Sequence, residues 1–293
     1  MALRGYLRDE VVEDFSDGLL TRREALHRLV LLGLAAPAAG AVLAACGSDG
    51  ADEDAESTTT SATTPPTAVV AETISFDGPA GELMAAYATP TSPRGAVLVV
   101  HENRGLTPHF FEVAGRLATS GYAALAVDLL SAEGGTSSFT DDAAVPGALG
   151  AAPMERLVAD LQAGIDELER RTPGVGVAAM GFCFGGAMVW NLLDAGEPRL
   201  SAAVPFYGPA PADADFSGSR VAVLAIYAGN DTRVNESRPA AEAALQAASL
   251  TYEIETFDGV DHAFFNDTGP RYDENAATEA YADVLAWFDQ YVA

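Results

Sequence analysis

The stretch VGVAAMGFCFGGAMVWNLL, residues 175–193, decides the fold. An apolar run, Val175–Met180, passes through Gly181-Phe182-Cys183-Phe184-Gly185-Gly186 into a helical run, Ala187–Leu193. A reactive side chain flanked two positions either side by glycine, between a strand and a helix, has the form of a nucleophile elbow, here with Cys where Ser is usual. The glycines meet a physical demand: strand and helix can approach closely only if the neighbours of the turn are small. A thiol at a helix N-terminus also gains from the macrodipole, which favours thiolate. A buried structural cysteine in a glycine-rich turn is the competing reading, and residues elsewhere in the chain decide between the two.

Outward from this turn, apolar runs alternate with amphipathic ones. Strands are expected at 72–76, 82–89, 96–101, 123–128, 175–181, 202–207, 221–227 and 252–257, with helices at 108–119, 155–171, 184–195, 238–248 and 275–291. The 155–171 segment sets Leu157, Val158, Leu161, Ile165 and Leu168 on one face at the helical period. Uninterrupted runs such as Ala96–Val100 suit parallel strands covered on both faces. Strand–helix alternation over 71–293 therefore predicts one doubly wound α/β domain with a mostly parallel sheet and an antiparallel start. Residues 131–152, rich in Gly, Ala, Ser and Asp, are expected to form a long surface loop.

Partners for the thiol follow in chain order. Gly229-Asn230-Asp231 ends an apolar strand, and Asp261-His262 follows another strand just before the last helix. Nucleophile, then acid, then His is the α/β-hydrolase order. Asp231 and His262 fall at the ends of successive strands, the edge where such sites assemble. Asp258 and Asp261 are rival acids, but they lie too close to His262 in sequence to orient its far ring nitrogen from another loop.

Composition narrows the function further. The 293 residues carry 42 acids against 16 basic residues, all of them Arg, for a net charge of −26. Nucleic-acid binding is disfavoured, because phosphate neutralisation needs clustered cations. Without Lys there is neither Schiff-base chemistry nor a P-loop. Two cysteines make neither a disulfide framework nor a four-thiolate zinc site.

The first 45 residues read as an export signal. Arg22, Arg23 and Arg28 precede an apolar and small run, Leu29–Ala45. Its end, Leu43-Ala44-Ala45-Cys46-Gly47, resembles a bacterial lipoprotein box, which implies cleavage before Cys46 and a lipid on that thiol. Thr21-Arg22-Arg23 resembles a twin-arginine motif, with Ala25 where an aromatic is usual. The following segment, part of 46–70, holds no aromatic or large aliphatic residue over 47–68 and is expected to be a disordered acidic tether. Such a tether reaches roughly 25 Å. The expected location is extracytoplasmic, anchored to the cell membrane through Cys46.

The elbow, His101-Glu102-Asn103-Arg104-Gly105, Gly229-Asn230-Asp231 and Asp261-His262-Ala263-Phe264-Phe265-Asn266 together resemble the dienelactone hydrolase (carboxymethylenebutenolidase-like) family of the α/β-hydrolases, over residues 71–293. The resemblance implies Cys183 as nucleophile, His262 as general base then acid, and Asp231 as the carboxylate orienting it. It implies Glu102 beside the resting thiol, helping to generate thiolate, and the backbone N–H groups of Phe184 and Asn103 as the oxyanion hole. Members that cleave dienelactone hold the substrate carboxylate with two arginines. Here Asn266 occupies one of those positions, and Ala132 and Glu133 stand near the other. Arg104 is left as a candidate substrate cation. The negative surface would repel an anionic lactone.

The implied reaction is hydrolysis of a small ester or lactone through a cysteinyl thioester, by a monomer that needs neither metal nor organic cofactor. A non-catalytic ligand-binding lipoprotein on a hydrolase scaffold, and acyl transfer to an acceptor other than water, are the alternatives. For the anchor, Cys46→Ser is expected to move the protein from the membrane to the soluble fraction on cell fractionation; unchanged partitioning contradicts lipidation.

Overall fold

The computed structural model describes residues 3–45 and 69–293. In chain order it contains α1 (Leu3–Ser16), α2 (Arg22–Leu31), α3 (Ala36–Ala45), β1 (Glu72–Gly78), β2 (Gly81–Ala88), β3 (Gly95–Val100), α4 (Pro108–Thr119) and β4 (Tyr122–Val127). There follow α5 (Val145–Ala151), α6 (Met154–Arg171), β5 (Val177–Phe182), α7 (Phe184–Asp194), β6 (Leu200–Phe206) and β7 (Ala222–Ala228). Last come α8 (Thr232–Asn235), α9 (Arg238–Ala247), β8 (Tyr252–Phe257) and α10 (Glu274–Tyr291). The eight strands form one sheet in the order β1-β2-β4-β3-β5-β6-β7-β8. The β1–β2 and β2–β4 pairs are antiparallel and the other pairs are parallel. This is the single, mostly parallel α/β-hydrolase sheet.

The sequence pattern explains the placement. β3, β4 and β5 are buried at every residue, so they sit centrally, and Leu98 of β3 pairs with Leu125 of β4 and Ala179 of β5. β8, half-exposed and carrying two Glu, takes an edge. α6 covers the sheet with Leu157, Leu161, Ile165 and Leu168, all fully buried. It can approach closely because Gly164 lies against Leu98 and Val127. The carboxyl ends of β3, β5, β7 and β8 then deliver the segments that begin at His101, Cys183, Gly229 and Asp258 to one edge of the sheet.

Residues 131–152 are not a long surface loop. Three single 3-10 turns lead into α5, whose Val145, Pro146 and Leu149 are buried. The segment is ordered by Asp128, whose carboxylate accepts from the backbone N–H of Leu130 (3.0 Å) and Thr136 (2.7 Å) and from the Thr136 hydroxyl (2.8 Å). Side-chain acceptors of this kind let a Gly- and Ala-rich segment fold without a large apolar face.

α1–α3 pack on the folded domain. Thr21-Arg22-Arg23-Glu24 starts α2 as a capping box: Thr21 Oγ1 accepts from Glu24 N–H (3.3 Å), and Glu24 accepts from Thr21 N–H (2.8 Å). α1 and α2 dock on the small face of α5, where Gly150 meets Leu7 and Leu32 and Gly147 meets the backbone of Leu31. Among the described residues no helix is long and apolar enough to cross a membrane. Cys46 and the tether at 47–68 lie outside the described residues.

The burial of α6 gives a stability expectation. Leu161→Ala should cost about 2–5 kcal/mol, because it opens a cavity against a sheet that cannot collapse onto it. Urea unfolding of the variant checks this.

Candidate active site

Cys183 sits between β5 and α7 with φ 56° and ψ −117°, a conformation strained for any residue with a Cβ. Its surroundings enforce that geometry. A Cβ on Gly181 would lie 2.2 Å from the Gly185 carbonyl oxygen, and one on Gly185 2.1 Å from that of Val100. One on Gly186 would meet Phe206 O at 2.3 Å. The spaced glycines of the elbow are thus required by backbone-to-backbone contact, from β3 on one side and β6 on the other. As the first residue of α7, Phe184 presents an N–H with no partner four residues back in its own helix.

β7 and β8 bring Asp231 and His262 together. His262 Nδ1 lies 2.5 Å from Asp231 Oδ2, and Asp231 Oδ1 accepts from the Val234 N–H at 3.0 Å as the N-cap of α8. Both residues are buried. The rival acids lie elsewhere: Asp258 is exposed, and Asp261, also exposed, accepts from Asn230 (2.8 Å). His262 Nε2 has no hydrogen-bond partner and faces the thiol side of the site.

His101, at the end of β3, is occupied structurally. Its Nδ1 donates to the Glu102 carbonyl (2.7 Å), and Nε2 accepts from the Leu129 N–H (3.2 Å). Burial lowers its pKa, consistent with a neutral ring. His109 is paired with Asp267 at 2.8 Å.

Glu102 is buried, accepting from Asn266 Nδ2 (2.8 Å) and the Tyr207 hydroxyl (3.4 Å), and burial raises its pKa. The carboxylate in contact with the thiol is a different one. Glu10 of α1 places Oε2 3.5 Å from Cys183 Sγ and Oε1 3.4 Å from His262 Nε2. Tyr6, one turn earlier, sets its hydroxyl 3.3 Å from the same sulfur. The Asn103 side chain also donates to Glu10, at 3.4 Å. Arg104 is exposed, lining the mouth of a cavity of about 190 Å³ that reaches Cys183, His262 and Asn266.

Neither Tyr6 nor Glu10 stands out in a segment that reads as a leader. The available signal is the acidic spacing Glu10, Glu13, Asp14 and Asp17, a single helical face. Arg233 pairs with Glu10 and Glu13, and Arg271 pairs with Asp14 and Asp17.

The cluster polarises strongly. Burial first, then the Glu10 charge, pushes the Cys183 thiol up to about 11. Burial alone would lower the His262 pKa, but Glu10, then Cys183, then the hydrogen bond to Asp231 outweigh it and hold the ring well above its ordinary value. Burial would raise Asp231 and Glu10, yet His262 pulls both below the usual range, aided at Glu10 by Arg233. Glu10, Cys183 and His262 offer three ligand atoms within 4.8 Å of one another, a donor set that zinc would accept.

Comparison with known proteins settles the lineage. The model of the dienelactone hydrolase family matches residues 83–292. The chain belongs to this family. A Salmonella typhi protein named "Putative carboxymethylenebutenolidase" is 33% identical over 245 residues, covering 78% of this chain and 90% of its own. A Saccharolobus solfataricus protein of the same name is 28% identical over 250 residues, covering 73% and 96%. Among solved structures, a family protein from Klebsiella pneumoniae superposes with a TM-score of 0.68 at 28% identity, covering 77% of this chain and all of its own. The dienelactone hydrolase-like phosphotriesterase P91 from metagenomic libraries gives 0.66 at 26%, with 77% and 100% covered. The chain is therefore a hydrolase of the dienelactone hydrolase type. α1–α3, which carry Tyr6 and Glu10, lie outside the matched residues.

Because the Cβ of Ala at position 185 would meet a central-strand carbonyl that cannot move aside, Gly185→Ala should cost about 3 kcal/mol, the upper end of ordinary overpacking. A shift of the thermal midpoint checks this; an unchanged midpoint contradicts the close-approach account.

Proposed function

We propose that the protein hydrolyses a small carboxylic ester or lactone through a thioester on Cys183, with His262 as base then acid and Asp231 as its orienting carboxylate. The observation that carries this is the buried Asp231–His262 pair at 2.5 Å, aimed at a cysteine held on a strained elbow. His262 Nε2 and Cys183 Sγ lie within 4.8 Å of each other, a separation that tightens readily in a substrate complex.

The steps follow from the geometry. His262 takes the thiol proton as sulfur attacks the carbonyl carbon, and the carbonyl electron pair moves to oxygen. The N–H groups of Phe184 and Asn103 receive that oxyanion. Its collapse breaks the C–O bond, and the leaving oxygen takes the proton from His262, completing the thioester. His262 then deprotonates water, which adds to the thioester carbon, and thiolate departs. Glu102, fixed by Asn266 and Tyr207, lies near enough to bias the thiol's ionisation. No step calls for a metal or organic cofactor.

The same reading gives the protein an extracytoplasmic location, a monomeric state and a membrane partner reached through lipid on Cys46. The order of basic region, apolar run and Leu43-Ala44-Ala45-Cys46 supports it.

Purified protein is expected to hydrolyse p-nitrophenyl acetate and an α,β-unsaturated lactone. Cys183→Ala should lower both rates by at least about 10³-fold, the order expected when a nucleophile is removed. Turnover that survives in this variant would falsify the assignment.

A further inference from the structure

A helix outside the family-matched residues occupies the space a substrate must enter. To form a C–S bond, an acyl carbon has to reach Cys183 Sγ from the side of His262 Nε2. The Glu10 carboxylate spans that gap, 3.5 Å from one and 3.4 Å from the other. Cys183 is only 3% exposed, and the remaining cavity of about 190 Å³ is below the roughly 300 Å³ at which small-molecule sites begin. Helix and substrate therefore exclude each other.

The helix is gripped by charge. Four acids at the spacing of one helical face, Glu10, Glu13, Asp14 and Asp17, meet two arginines supplied by the hydrolase domain. Arg233 adjoins the Asp231 turn, pairs with Glu10 and Glu13, and lies over the Tyr6 ring at 4.9 Å. Arg271, in the turn after His262, reaches Asp14 at 3.0 Å and Asp17 at 2.7 Å. Both arginines are largely enclosed, at 16% and 12% exposure, and an enclosed cation left without an anion is costly. In a chain at −26, these are cations held at the catalytic edge itself.

The docked helix also changes the electrostatics of the thiol and the imidazole. Glu10, 3.5 Å from the sulfur and 3.4 Å from His262 Nε2, raises the pKa of both the thiol and the ring, which works against passing the thiol's proton to His262.

Resting on the hydrolase reading above, we infer that α1 is a displaceable occupant of the catalytic cleft, with the Glu10 carboxylate in the place of the reacting acyl group and the neighbouring acids of the helix in the place of a substrate carboxylate, and that Arg233 and Arg271 bind this substrate anion once the helix withdraws. The anionic substrate class that the two family arginine positions and the overall charge argue against is restored by arginines at other positions. Cleavage before Cys46, proposed above, removes the whole occupant.

The test uses the full chain and two readouts: alkylation of Cys183 by iodoacetamide, and hydrolysis of neutral p-nitrophenyl acetate against anionic mono-p-nitrophenyl glutarate. In Glu10→Gln/Asp14→Asn, alkylation and acetate hydrolysis should both rise about tenfold, as expected for about 1.4 kcal/mol of lost docking energy. Glu13→Gln, at the outer side of Arg233, is the milder second variant and should raise both in the same direction. Arg233→Gln should split the substrates: acetate hydrolysis rises as the helix loosens, while the KM for the glutarate ester rises about tenfold. Slower alkylation and slower acetate hydrolysis in the α1 variants would overturn the proposal, as would an equal change of both esters in Arg233→Gln. Adding Cys183→Ala to the Glu10/Asp14 variant separates the two levels. Hydrolysis that persists there sinks the hydrolase reading itself. Hydrolysis that needs Cys183 but is no faster than wild type sinks only the displaceable helix.

Discussion

Backbone-to-backbone contact at the β5–α7 turn is the constraint from which the rest of the site follows. The turn can form only if Gly181, Gly185 and Gly186 carry no side chain, since each would strike a carbonyl of α7, β3 or β6 within about 2 Å. With those glycines in place, β3, β5 and β6 can lie at ordinary parallel spacing while α7 starts directly above them. Cys183 is then forced to positive φ and lifted above the sheet edge. Glu102, Asp231 and His262 are each placed relative to that point by a strand ending at the same edge. The strain is borne by three fully buried central strands, which have no alternative packing to relax into.

Electrostatics at the site run against the charge of the whole. The surface is strongly acidic, yet the catalytic edge concentrates His262, Arg233 and Arg271 among buried carboxylates. Asp231 and Glu10 both stay ionised despite burial because the imidazole lies between them. With one carboxylate bonded to Nδ1 and a second 3.4 Å from Nε2, the ring is held well above its ordinary pKa, which works against its taking the thiol's proton. In the proposed mechanism, withdrawal of Glu10 leaves Asp231 behind the ring and Cys183 in front of it.

The α/β pattern was legible because a parallel sheet imposes it: strands buried on both faces must be apolar throughout, and helices covering them must carry a stripe. All eight strands and the five long helices of the domain are visible that way, with ends off by one or two residues where turns trade hydrogen bonds. Asp231 could be preferred to Asp258 and Asp261 because a carboxylate adjacent in sequence cannot reach Nδ1. α5 was hidden by its Gly and Ala composition; the segment leading to it is held by the Asp128 carboxylate, a tertiary acceptor that no local window reveals, and α5 itself buries Val145, Pro146 and Leu149. Glu10 was hidden for a related reason. Its partners lie 93 to 252 residues away, and the segment that carries it has a stronger local reading as a leader. Thr21-Arg22-Arg23-Glu24 illustrates the overlap, since the residues that resemble an export motif also form a complete helix cap.

The central claim is that acyl transfer passes through the sulfur of Cys183. Quenching the protein in acid within its first turnovers on p-nitrophenyl acetate, then mapping acetyl groups by peptide mass spectrometry, tests this most directly. The account predicts an acetyl increment on the peptide containing Cys183, removable by hydroxylamine and absent in Cys183→Ala. Acetyl found only on another residue, or steady turnover with no acyl-enzyme at any time point, would contradict it.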